Sequence, residues 1–242
     1  MKLSARKILI TGASSGIGRE TCKRLLDDGH QVIGIARDFS KFPCDSNAFT
    51  PVTIDLEAVA TLPEKLQALA KTQSDVDAVI CCAGRGQFGS LEEFSYEQIH
   101  SLIDLNFTSQ AYMARTFLPT LKRQQSGTLI FIGSEAALKG SRKGSIYCAS
   151  KFAVRGLAQA LRDECSKSGV SVSIINPGMV KTEFFNELPF SHGNEEDNYL
   201  LPEDVADAIA LIINARGSAV MDEINLSPLK NVVQSKPTNK TL

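Results

Sequence analysis

KILITGASSGIGRE (residues 7–20) joins a short aliphatic run to a helix-like segment through three glycines, Gly12, Gly16 and Gly18. A strand ending at Thr11 and a helix starting near Ile17 would aim backbone N–H groups and a helix N-terminus at one point. That point favours an anion, and glycines there let a pyrophosphate approach the backbone. The spacing is G-x-x-x-G-x-G rather than G-x-G-x-x-G. Arg19 and Glu20 follow Gly18, so the G-K-[ST] of a P-loop is missing.

Outward from this turn, apolar runs alternate with helical patterns. Strands are predicted at 7–11, 31–36, 49–54, 77–82, 127–133, 170–176 and 218–224, and helices near 17–28, 57–72, 95–105, 107–124, 148–167 and 203–214. Most of the runs are too continuously apolar for a sheet with one wet face, and they suit parallel strands covered on both sides. Repeated β-α-β order implies an α/β fold, a doubly wound parallel sheet of about seven strands with helices on both faces. The 242 residues fit one domain, 1–242. Residues 182–200 lack periodicity and are read as a lid beside the site. The polar tail is expected to fray from about 235.

Composition narrows the function. Lys+Arg 26 against Asp+Glu 27 gives a net charge of −1, which offers no electrostatic argument for nucleic acid or an anionic membrane. Apolar runs fall short of the ~18 residues of a membrane span and the about 7–15 of a signal peptide, so the sequence reads as cytoplasmic. Six cysteines without a C-x-x-C pair, and three scattered histidines, give poor support for a metal site. Cys81 and Cys82 are read as buried core thiols, with redox sensing as the alternative.

Tyr147 and Lys151 are four positions apart, on one face of a helix. A phenol with a reference pKa of about 10 is a poor acid–base group near neutrality, and a nearby ammonium lowers that value. Ser134 ends an apolar strand, at the edge where doubly wound sheets bind ligands. TGASSGIG (11–18), LNF (105–107), Ser134, YCASK (147–151) and NPGMVKT (176–182) occur in this order. Together they resemble the short-chain dehydrogenase/reductase family over residues 5 to about 225.

The resemblance implies a Rossmann-like fold and a catalytic set of Asn106, Ser134, Tyr147 and Lys151. Tyr147 would be general acid for reduction and general base for oxidation, and Ser134 would orient the substrate oxygen. Lys151 would lower the tyrosine pKa and bind the nicotinamide ribose, and Asn106 would hold a water in a proton relay. Cofactor contacts are implied for Gly12, Ser14, Ser15, Gly16, Ile17, Gly18, Asp55, Leu56, Cys82, Ala83, Gly84, Tyr147, Lys151, Pro177, Gly178, Val180 and Thr182. One departure is CCAG (81–84) where the family commonly has NNAG, which puts local sheet stability in question. At the end of the second strand Ala36 takes the position that is acidic in NAD enzymes, and Arg37 follows it. A guanidinium suits the 2′-phosphate of NADP, so NADP(H) is the expected cofactor.

These readings point to an NADP(H)-dependent oxidoreductase that interconverts a carbonyl and a secondary alcohol. The alternative is a non-catalytic NADP-binding regulator. Apolar residues along 107–124 and 148–167 point to a homodimer or homotetramer across these helices. Substrate identity stays open: Phe184, Phe185, Leu188 and Phe190 suggest an apolar cover, whereas Arg142 and Lys143 could meet a carboxylate. The C-terminal stretch bears a weak likeness to relatives acting on short 3-hydroxy acids.

Overall fold

The computed structural model describes residues 5–236. Its core is a seven-stranded, all-parallel sheet in the order β3-β2-β1-β4-β5-β6-β8. The strands are β1 (Lys7–Thr11), β2 (Gln31–Ala36), β3 (Phe49–Thr53), β4 (Ala78–Cys81), β5 (Gly127–Ile132), β6 (Val170–Pro177) and β8 (Glu223–Leu226). Helices α1 (Gly16–Asp27) and α6 (Pro202–Ile213) pack together on one face. Helices α2 (Leu62–Thr72), α4 (Ser109–Gln124) and α5 (Ser145–Cys165) cover the other, with α3 (Tyr96–Ile103) beside α5.

Two cores explain why the strands read as unbroken apolar runs. All six residues of β5 are buried. Leu129 and Phe131 face the α2–α4–α5 side, while Ile130 and Ile132 face the α1–α6 side. Each such side chain contributes roughly 1.5–3 kcal/mol by leaving water. The chain order reverses between β1 and β4. Loops at their carboxyl ends therefore diverge, and a crevice opens there.

Three elements depart from the sequence reading. α2 begins at Leu62 rather than 57, because the Asp55 carboxylate accepts the Glu57 N–H at 3.0 Å in a local turn and Pro63 suits a helix's first turn. The last strand is shifted from 218–224 to Glu223–Leu226, where Asn176 Nδ2 on β6 donates to Glu223 Oε1 (2.7 Å) and Asn225 Oδ1 (3.0 Å). A π-helical turn, Asp104–Thr108, joins α3 to α4 and carries Asn106.

Residues 182–200 contain two 3-10 turns and a short strand, β7 (Phe190–His192), paired antiparallel with β9 (Val233–Ser235). The fraying expected from about 235 falls, beyond Lys236, outside the described residues. Among the described residues no helix is long and apolar enough to cross a membrane.

Candidate active site

The glycine turn is built as its spacing demands. Gly12 has φ +69°, and a Cβ there would lie 3.0 Å from the Ala83 backbone. A side chain at Gly18 would run into the Gly12 carbonyl. Ser15, at the N-cap of α1, makes no side-chain hydrogen bond to the first turn, so the helix offers its N–H groups outward. Thr11 Oγ1 accepts the N–H groups of both Cys82 (2.9 Å) and Ala83 (3.0 Å). This hydroxyl ties β1 to the end of β4, at the place where the loss of the family's two asparagines put the sheet in question. Burial pushes the Cys82 thiol up to about 12 and Cys81 higher still, which keeps both as neutral thiols.

One cavity of about 790 Å³ runs along the carboxyl edge of the sheet. Gly12, Ser14, Ser15, Gly16, Ile17, Gly18, Arg37, Asp55, Leu56, Cys82, Ala83, Gly84, Ser134, Tyr147, Lys151, Pro177, Gly178, Val180 and Thr182 all line it. These residues come from six strand ends and the starts of α1 and α5, so the sheet topology brings them together. Asn106 does not line it. It lies fully buried beneath, where its Oδ1 accepts the Arg85 N–H (2.9 Å) and its Nδ2 donates to Arg85 O (3.0 Å) and Ser150 Oγ (3.1 Å). Gly84 lets this group and Lys151 approach: a Cβ there would lie 3.2 Å from Asn106 Oδ1 and 3.6 Å from Lys151 Nζ.

Tyr147 and Lys151 project from the first two turns of α5, both buried. Lys151 Nζ donates to Ile132 O at 3.0 Å and stands 5.9 Å from the Tyr147 ring centroid. Burial pushes the phenol up to about 12, and the Ser134 hydroxyl opposes this. Burial also draws the Lys151 ammonium down to about 8. The lowering of Tyr147 by Lys151 expected from the sequence is not seen: desolvation sets the direction, and the group that opposes it is Ser134. Ser134 is extended (φ −173°) at the end of β5, and its Oγ accepts the Ala136 N–H at 3.1 Å.

At the far end, Arg37 follows the last residue of β2. Its side chain is 72% exposed, with Nη1 3.7 Å from Glu57 Oε1. Asp38 folds back on its own loop, accepting the N–H and hydroxyl of Ser40 at 2.8 and 2.5 Å. Sequence reasoning missed Glu57 itself. Its carboxylate accepts two hydrogen bonds from Arg85 Nη1 at 2.9 Å and one from Ser101 Oγ at 2.9 Å, and Arg85 Nη2 donates to Ser101 at 2.6 Å. Nothing local in the sequence pairs these three residues.

Thr182 roots the 182–200 segment. Its Oγ1 accepts the Phe184 N–H at 3.2 Å, and its methyl lies 3.3 Å from where a Gly16 Cβ would be. Phe185 and Leu188 are buried with Met179, and Phe88, Phe184 and Phe190 pack against them. Phe88 and Phe184 flank the Tyr147 ring at 5.0 and 6.0 Å. Phe88 lies in the loop after β4, and nothing local in the sequence sets its ring against Tyr147.

Comparison with known proteins agrees with this arrangement. The family model described as short chain dehydrogenase matches residues 6–191. An uncharacterized oxidoreductase of Staphylococcus epidermidis is 26% identical over 234 residues, covering 94% of this chain and 99% of that protein. Among solved structures, ElxO with NADP bound superposes with a TM-score of 0.82 at 20% identity, covering 93% of this chain and 98% of that one. An alcohol dehydrogenase from the archaeon Thermococcus sibiricus, complexed with 5-hydroxy-NADP, gives a TM-score of 0.82 at 24% identity, with 95% and 99% covered.

Proposed function

The chain belongs to the short-chain dehydrogenase family, and from that premise we propose that this oxidoreductase uses NADP(H) to interconvert a carbonyl and a secondary alcohol. The observation that carries this reading is the meeting, in one cavity, of the glycine turn, the exposed Arg37 and the Ser134–Tyr147–Lys151 group.

The residues present fit a dinucleotide phosphate. A Cβ would fill the glycine cradle, the N-terminus of α1 points at it, and a guanidinium stands where the second strand ends. Gly12 to Gly18 would hold the pyrophosphate, Asp55, Leu56 and Cys82 to Gly84 the adenosine, and Pro177, Gly178, Val180 and Thr182 the nicotinamide. Arg37 would meet the 2′-phosphate, leaving its loose contact with Glu57. When bound, the cofactor supplies or accepts a hydride at its nicotinamide. The two solved folds described above hold NADP and 5-hydroxy-NADP in their own structures.

In reduction, Tyr147 would donate its phenolic proton to the carbonyl oxygen as charge develops there, and Ser134 Oγ would hold the same oxygen. In oxidation, Tyr147 would take the alcohol proton. Lys151 would steady the ribose and offset the phenolate, with Asn106 behind it at the start of a proton path. Residues 1–242 would act as one domain with a lid at 182–200, assembled as a homodimer or homotetramer. The outward face of α5, with Ala149, Phe152, Gly156 and Ala160 exposed, favours such a contact. A regulator that binds NADP without turnover would need neither Tyr147 nor Lys151 buried beside Ser134.

The test is a carbonyl panel with purified protein, followed by loss of reduced-nicotinamide absorbance. Turnover with NADPH is expected. Tight NADPH binding without turnover of any compound would favour the regulator.

A further inference from the structure

Around Tyr147 the cavity is lined by Phe184 and Phe185 and is short of usable cations. Phe88 and Phe184 flank the Tyr147 ring, and Phe190 meets Phe88 edge-on at 4.9 Å. Buried Met179, Phe185 and Leu188 back this cluster. Apolar groups on both sides of the reacting position favour an apolar substituent on the substrate.

The cations that line the cavity are engaged elsewhere. Arg85 is clamped by Glu57 and Ser101, Arg37 lies by Glu57, and Lys41 Nζ is 3.7 Å from Glu183 on the lid. Lys151 lies under Tyr147 with its ammonium on Ile132 O. Arg142 and Lys143 are exposed in the loop before α5 and line no part of the cavity.

A carboxylate stands behind the wall that Gly178 forms. Glu135 directly follows Ser134, and its Oε2 lies 3.2 Å from where a Gly178 Cβ would be, with Pro228 on the same glycine. Glu135 has no ion-pair or hydrogen-bond partner for its carboxylate among the described residues. Burial raises its pKa above the usual carboxylate range, and its charge acts on the Tyr147 phenol. It faces Gly178 and Pro228 and the rings flank Tyr147, so no single cationic group is offered both.

We propose that the substrate is an uncharged carbonyl compound bearing an apolar, ring-sized group. Phe184 and Phe185 seat that group, with Phe88 and Phe190 packed behind them, and the charge of Glu135 behind the cavity wall disfavours carboxylates. This rests on the carbonyl chemistry proposed above and names its substrate class. It runs against short 3-hydroxy acids, whose carboxylate would find no open cation and would approach Glu135 instead.

The test is a matched set with one reacting ketone: methyl 4-acetylbenzoate, 4-acetylbenzoate, and the 4-trimethylammonio analogue. With wild-type protein and NADPH, kcat/KM for the ester should exceed that for the acid by at least ~10-fold, since like charges juxtaposed in a cleft are strongly disfavoured. Glu135→Gln should narrow the ester-to-acid ratio, and Phe184→Ser should lower the ester's advantage over butanone. NADPH affinity within about twofold of wild type verifies that each variant is folded. Calorimetric binding of the same compounds to the Tyr147→Phe protein saturated with NADPH gives a readout without turnover. Tighter binding of the ester there, with no reduction of any compound by the wild type, would keep the substrate class and sink the proposed reaction. Equal or tighter binding of the acid, or a preference for the cationic analogue, would overturn the substrate class whatever the turnover.

Discussion

At Tyr147, burial and chemistry pull against each other. Desolvation holds the phenol up to about 12 and draws Lys151 down to about 8. Alcohol oxidation needs the phenolate, so its kcat/KM should rise with pH throughout the alkaline range. Carbonyl reduction needs the phenol, so it should stay level through neutrality and fall only when the proton is lost. Initial rates in both directions over a pH series measure this, and an oxidation rate that falls as pH rises would contradict the assignment. At Arg37, an exposed guanidinium held only at 3.7 Å by Glu57 is free to turn to a phosphate. Arg37→Ala should weaken NADPH binding by about 1.5–3 kcal/mol, nearer the lower end because the group is exposed, and leave NADH almost unaffected. Fluorescence titration of both cofactors distinguishes the cases, and equal losses would remove the 2′-phosphate contact. Residues bound to their partners by local spacing were legible in the sequence: the glycines within one turn, and Tyr147 and Lys151 within one helical turn. Glu57, Arg85 and Ser101 were not, because they meet across 28 and 44 positions with no repeating pattern. Thr11 likewise reads as a strand residue, and only the fold puts its hydroxyl under the N–H groups of Cys82 and Ala83.

At the scale of elements, the sheet strands were legible because both faces are covered and each run stays apolar. The 182–200 segment, proposed as a lid, was legible only in outline. Its inward residues Phe185 and Leu188 are buried and Glu195 and Glu196 are exposed, as apolar and acidic patterning suggests, but Asp197 is half-buried and pairs with Lys230 at 2.7 Å. The three-residue strands β7 and β9 are too short to announce themselves, and they pair across a separation that no turn signal marks. Their pairing makes the C-terminal stretch part of the lid: Lys236 N donates to Pro189 O at 2.8 Å, its ammonium reaches the Phe185 and Asn186 carbonyls, and Gly193 N donates to Val232 O at 3.0 Å. Truncation of residues 230–242 should therefore speed hydrogen exchange across 183–198 and raise KM for the carbonyl substrate. The melting temperature should drop little, because neither main core draws on those residues. Unchanged exchange in 183–198 would mean that the lid holds itself without β9. In the full chain, NADPH should slow exchange near Thr182 to Leu188 most, and the Glu195–Glu196 turn least.

For the whole molecule, α5 poses the open surface. Phe152 is 43% exposed among the small residues Ala149, Gly156 and Ala160, a face that a second copy can cover closely. The sequence made α4 and α5 look too apolar for one buried stripe. The structure buries Met113, Phe117, Leu118 and Leu121 of α4, so much of that excess belongs to the core, with Phe152 left outside. Light scattering should give a dimer or tetramer, and Phe152→Glu should shift it toward the 26.2 kDa monomer; a monomeric wild type at micromolar concentration would rule the assembly out. The fold class followed from patterning over the entire chain, whereas the substrate end depends on loops from distant parts of it and needed coordinates. The proposal that unites turn, strand end and helix is hydride transfer with Tyr147 as the proton group. The measurement that tests this most directly is NADPH-dependent reduction, by wild type and Tyr147→Phe, of a ketone that the carbonyl panel shows to be turned over, with NADPH affinity measured alongside. The expected result is NADPH affinity within about threefold and turnover lower by ~10²–10⁴-fold in the variant. Turnover within a few fold of wild type in Tyr147→Phe would contradict the account.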